Sequence, residues 1–154
     1  MTGNLRCAQV YLAENKVGIV TAMHFNSAGI CYEQGAPSVL DSWRNGLALA
    51  ASLRSSLERF SFREANLRDT KKTDWPSYRA SRCRSVREFE NLYLCIHVRV
   101  LNEAELFYDA YAEPPGESDI TLHVTLNRYA PDGEISRQLL KLFDVCRRWT
   151  ADSL

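Results

Sequence analysis

Apolar residues recur at every second position in three consecutive runs of the C-terminal half. Leu92, Leu94, Ile96, Val98 and Val100 share one side of the first run, and Ala104, Leu106, Tyr108, Ala110 and Ala112 one side of the second. Ile120, Leu122, Val124 and Leu126 do the same in the third. Period-two alternation predicts strands, here over 92–101, 104–112 and 120–127. Three such runs in succession predict an antiparallel sheet with one buried face and one wet face. The link Asn102-Glu103 suits a tight hairpin, and Pro114-Pro115-Gly116 marks the next reversal. Nearer the N-terminus, 7–12 (CAQVYL) and 17–25 (VGIVTAMHF) are β-rich and joined through Glu14-Asn15-Lys16, again as a hairpin. A turn over Asn26-Ser27-Ala28-Gly29 then precedes the short apolar piece Ile30-Cys31-Tyr32.

Elsewhere the period is helical. Leu40, Trp43, Leu47, Ala50, Leu53, Leu57 and Phe60 fall in steps of three and four, a single stripe along one side of a long helix. Ser38 with Asp41 has the spacing of a capping box that would start it. Trp75-Pro76 punctuates a polar stretch, so any helix there restarts after Trp75. Ser85 with Glu88 is a second capping box, opening a short helix that carries Phe89 inward. After Pro131-Asp132-Gly133, a last helix turns Ile135, Leu139, Leu140 or Leu142, Phe143, Cys146 and Trp149 to one side. Two amphipathic helices against one-sided strands predict a single α+β domain over 1–154, a two-layer sandwich.

The alternation that names the core also names the outer face. Tyr93, Cys95, His97 and Arg99 would stand on it from the first strand, and Glu105, Phe107, Asp109, Tyr111 and Glu113 from the second. Thr121, His123, Thr125 and Asn127 would follow from the third. A wet face has no need of Phe107, Tyr93 and Tyr111; aromatics among charges are the composition of binding hot spots. The alternative is that a loop or the N-terminal hairpin covers them. His97, His123, Asp109 and Glu105 are acid/base candidates, since cross-strand neighbours approach within about 5 Å. The register that would bring them together cannot be read from the sequence.

Charge sharpens this picture. Nineteen Lys and Arg balance nineteen Asp and Glu, which excludes a generally basic nucleic-acid coat. The balance is local, however. Residues 63–87 hold eight bases against three acids, a net +5, and residues 88–135 hold ten acids against two bases, a net −8. Glu103, Glu105, Asp109, Glu113, Glu117 and Asp119 make the strand region an acidic platform, and 63–87 is a basic arm expected to fold onto it. An acidic, aromatic-studded sheet suits a basic protein partner better than nucleic acid.

The remaining chemistry is sparse. Five cysteines in a chain of 154 residues show no CxxC or CxxH spacing, so neither a zinc knuckle nor a redox motif is supported. Four lie among apolar neighbours; Cys83, between Arg82 and Arg84, is read as a surface thiol. No phosphate-binding loop, dinucleotide fingerprint, nucleophile elbow or calcium loop is present, so no cofactor and no metal are expected. No apolar run approaches the roughly 18–20 residues of a membrane span. The start, MTGNLRCAQVYLAENK, lacks the order of a signal peptide, and the expected compartment is cytoplasmic.

The stretch KKTDWPSYRASRCRSVREFE, with the strands through LFYDAYAEP, resembles bacterial immunity proteins, including those of contact-dependent growth inhibition systems. The resemblance implies a protein that binds and blocks a cognate toxin domain, often a nuclease. It carries no catalytic residues, because binding is the function. The near-neutral total departs from the strongly acidic members that inhibit basic nucleases, which leaves the toxin class open. The expected partner-binding residues are Tyr93, His97, Glu103, Glu105, Phe107, Asp109, Tyr111, Glu113 and His123. The competing readings are a small enzyme built on His97, Asp109 and His123, and an adaptor or chaperone whose partner stays active.

Overall fold

A computed structural model describes residues 5–112 and 119–151, the last three as backbone only. The C-terminal alternation forms the meander it predicts: β6 (Leu94–Val100), β7 (Glu105–Ala112) and β8 (Ile120–Asn127) pair antiparallel in sequence. Asn102 closes the β6–β7 connection by accepting the Ala104 and Glu105 amides on its Oδ1, both at 2.8 Å. The N-terminal hairpin is β1 (Arg6–Leu12) and β2 (Gly18–Phe25), with Asn15 in the left-handed region at its turn. It does not cover the meander. Instead β1 pairs with β6 along its whole length, so the sheet runs β3-β2-β1-β6-β7-β8, where β3 is Cys31–Glu33. The short strands β4 (Ser38–Leu40) and β5 (Ser61–Phe62) also pair with β2. The result is a mixed α+β fold on an eight-stranded sheet, antiparallel except at β5 and not closed into a barrel.

The predicted inward face is the one the helices cover. Helix α1 (Leu47–Glu58) brings Leu49, Ala50, Leu53 and Leu57, and α4 (Asp132–Ala151) brings Ile135, Leu139, Leu142, Phe143 and Cys146. They close on Ala8, Val10, Leu12, Ile96, Val98, Tyr108 and Ala110 from the strands. Tyr108 is fully buried, and its hydroxyl donates to the Ile135 carbonyl at 3.2 Å.

The first helix begins later than its sequence pattern suggests. Ser38 caps nothing; Ser38–Leu40 pairs with Gly18–Val20 on β2, and Trp43–Asn45 forms a single 3-10 turn. Gly46, at φ +81, then redirects the chain before α1 starts at Leu47. Leu40 and Trp43 still pack on the core, but from a strand and a turn. An exposed strand edge on β2 outweighed helix propensity there, because edge amides need partners. Leu47, counted in the stripe, is exposed.

The basic arm contains α2 (Pro76–Ser81), with Pro76 at its first position, and leads into α3 (Val86–Leu92). Ser85 caps α3 by accepting the Glu88 amide at 3.1 Å, while the Glu88 carboxylate reaches back to the Arg84 amide. These two helices lie on the outer face. Phe89 stacks against Tyr11, Tyr78 and Tyr93 at ring separations of 5.1–5.9 Å. The outer face is therefore wet over only part of its width. The arm docks through aromatic rings and not by neutralising the acidic strands: its ion pairs run from Lys72 to Glu90 and from Arg79 to Asp74. Among the described residues none of its bases pairs with an acid of β6–β8. Cys83 is half-buried beside this aromatic cluster, not a surface thiol. Pro114-Pro115-Gly116, Glu113 and Glu117 lie outside the described residues, as does the side chain of Trp149.

Candidate functional site

The strand registers that the sequence left open line up five polar residues across the sheet. Thr21 pairs with Gln9, Gln9 with His97, His97 with Asp109, and Asp109 with His123. Directly opposed residues on one face sit close enough for side chains to meet. This row crosses five strands on the outer face; Thr21, at its β2 end, is fully buried.

Gln9 donates from Nε2 toward His97 Nδ1 at 3.2 Å and accepts the Tyr11 hydroxyl at 2.6 Å. Asp109 is 7% exposed and is held from both sides. Arg99 donates to its Oδ2 at 2.5 Å, and His123 Nδ1 bonds its Oδ1. A buried carboxylate is tolerable only when paired and hydrogen-bonded, and both conditions are met here. Burial pulls the His97 imidazole below its ordinary value, with Asp109 opposing and Arg99 assisting. His97 is therefore neutral near pH 7 and accepts at Nδ1 from Gln9, its proton on Nε2.

Gln9, His97, Asp109 and His123 of the row line a cavity of about 310 Å³ together with Cys7, Met23, Cys31 and Tyr111. Small-ligand sites start at about this size, roughly 300 Å³. At its β3 end the Cys7 and Cys31 sulfurs lie 3.0 Å apart. Cys7 is buried and Cys31 exposed. The Cys31 thiol is lowered to about 7, chiefly by its hydrogen bond with Cys7, while the same bond and burial raise Cys7 well above the ordinary thiol value. No group of three His, Cys, Asp or Glu side chains among the described residues is placed to hold a metal ion.

The expected partner-binding residues scatter over several environments. His97, Asp109 and His123 are brought together. Tyr111 stands beside them, 54% exposed, its ring edge-on to His97 at 6.2 Å. Phe107 is half-buried, and Glu103 and Glu105 are exposed at the β6–β7 end. Glu105 accepts from Asn102 Nδ2 at 2.9 Å. Tyr93 is not on the open face: it ends α3, is buried against Phe89, and donates its hydroxyl to the Val17 carbonyl at 2.9 Å. It keeps the side the alternation predicts, in one cluster with Tyr11 and Cys95, and is buried because Phe89 of α3 covers it. Asp109 likewise is no free acid of the platform. Glu113 lies outside the described residues.

Three participants escaped the sequence reading: Gln9, the Arg99 bond to Asp109, and the Cys7–Cys31 contact. Alternation in CAQVYL puts Cys7, Gln9 and Tyr11 on one face, which was a usable signal for Gln9. Nothing local links Cys7 to a cysteine 24 residues later.

No family model matches the sequence, and no curated protein matches it. Solved structures do match the fold. A protein of unknown function from Neisseria meningitidis superposes with a TM-score of 0.71 at 14% identity, over 93% of this chain and 96% of that one. A chain of the CdiA-CT/CdiI toxin and immunity complex from Yersinia pseudotuberculosis superposes with a TM-score of 0.66 at 11% identity, over 92% and 97%. The fold is thus one found in a toxin–immunity complex. No helix among the described residues is long and apolar enough to cross a membrane.

Proposed function

We propose that this chain is a bacterial immunity protein, acting in the cytoplasm by binding a cognate toxin domain of a contact-dependent growth inhibition system and blocking it. The observation that carries the reading is the near full-length likeness to a chain of a toxin and immunity complex. The surface chemistry agrees with it. Exposed Glu103 and Glu105 border a face that also presents Tyr111 and His123, an aromatic anchor with acids at its rim. Such an arrangement steers a basic partner and then holds it by buried aromatic area. On this reading the protein needs no turnover, cofactor or metal. Tyr93 and Asp109 support the surface from within and do not touch the partner.

The test is growth. The C-terminal domain encoded by the neighbouring upstream reading frame is expressed in a test bacterium with and without this chain. Arrest alone and recovery on co-expression, with a complex that co-purifies, is the expected result. A toxic neighbour that this chain does not relieve, or a harmless one, overturns the reading. An adaptor would bind while leaving the toxin active. A small enzyme working through His97, Asp109 and His123 draws on the same row, and alanine at His97 and His123 separates it: an enzyme loses turnover while keeping its fold, whereas a binder has no turnover to lose.

A further inference from the structure

We propose that Cys7 and Cys31 are a reversible disulfide pair at the mouth of the His97 cavity, with Cys31 the sulfur that meets the oxidant and Cys7 the one that resolves it. The geometry carries this. The two sulfurs are 3.0 Å apart although the residues come from β1 and β3, on either side of β2. Closing them to a bond requires an approach of only about 1 Å. Cys31 is exposed and Cys7 buried, so a reagent from solvent reaches Cys31 first. The hydrogen bond between the two sulfurs lowers the Cys31 thiol and so favours its thiolate, the form that attacks. A thiol near ambient pH combines thiolate fraction with nucleophilicity. Burial pushes Cys95 up to about 12 and raises Cys146, which disfavours the thiolate at both.

The oxidant is a small-molecule disulfide of the glutathione class. The Cys31 thiolate attacks one of its sulfurs, forming a mixed disulfide and releasing one glutathione thiolate. Cys7 then gives up its proton and attacks Cys31 Sγ, and the second glutathione leaves as a thiolate that takes a proton. Two protein thiols are oxidised and one glutathione disulfide is reduced to two thiols. The product ties β3 to β1 across β2 and removes the free Cys31 sulfur from the cavity wall. This inference does not depend on toxin binding.

The folded protein is exposed to oxidised glutathione, quenched with acid, alkylated and mapped by peptide mass. The expected product is a single link between the Cys7 and Cys31 peptides, with Cys83, Cys95 and Cys146 alkylated. In Cys7→Ala, glutathione remains attached to Cys31; in Cys31→Ser neither species forms. Since Cys7 is buried, Cys7→Ser is a second variant that keeps the volume, and it traps the same adduct. Iodoacetamide labelling of Cys31 has its pH midpoint near 7 and moves toward 9 in Cys7→Ala. Five alkylated thiols in the wild type, a mixed disulfide that never transfers to Cys7, or a link through another cysteine overturns the proposal.

Discussion

At the scale of single residues, the fold is most exacting where backbone comes close to a side chain. A Cβ on Gly18 would stand 2.8 Å from Trp43 Cβ, so β2 can pass the 3-10 turn only as glycine. Gly18→Ala is expected to lower stability by about 1–3 kcal/mol, as overpacking does, and a urea titration reads it. His97 sets a pH dependence. Its folded value lies below the ordinary 6.5 because burial disfavours the imidazolium. The unfolded chain therefore binds the proton more readily. Stability is full above about pH 6.5 and falls as the pH drops below it. His24, also lowered by burial, contributes with the same sign. The expected outcome is a thermal midpoint that falls between pH 7 and pH 5, less steeply in His97→Gln. An NMR titration of His97 with its midpoint above 6.5 would contradict the assignment.

Among the elements, α2 and α3 decide how much of the outer face remains open. They dock by Phe89 against Tyr11, Tyr78 and Tyr93, and by a carboxylate: Glu33 on β3 accepts the Ser77 amide at 3.0 Å and its hydroxyl at 2.7 Å. Phe89→Ala removes the centre of that cluster and is expected to cost about 3 kcal/mol. Hydrogen exchange should show the loss first in 76–92 and in the β1–β2 turn, while β6–β8 keep their protection. Elements with a strong local signal came out as the sequence predicted: the alternating strands, the Ser85-capped helix and the last helix. The segment 38–46 did not, because the same residues serve a helical stripe and a strand edge equally well. Only the presence of β2 beside them selects the strand.

For the molecule as a whole, the uneven charge matters more than its zero total. Residues 88–135 carry a net −8, and among the described residues the arm pairs with Glu90 through Lys72 but with no acid of β6–β8. With a basic toxin domain as partner, Glu105→Lys is expected to slow association several-fold and to weaken the salt dependence of the on-rate, while leaving the fold intact. Stopped-flow mixing at two salt concentrations measures both; an unchanged rate would move the interface away from the β6–β7 end. Asp109 is the wrong residue for that experiment, since reversing a buried charge held by Arg99 and His123 tests folding and not docking.

The sequence by itself determined which residues face the helices on β6–β8, where the short helix is capped, and that aromatics and acids share the opposite face. These follow from period and capping chemistry, which are local. The tertiary structure alone decided that β1 inserts beside β6, that Gln9, His97, Asp109 and His123 fall in one row, that α3 covers Tyr93, and that Cys7 meets Cys31. Strand order and register depend on pairings between residues far apart in the chain, and a shift of one residue would move every side chain to the other face.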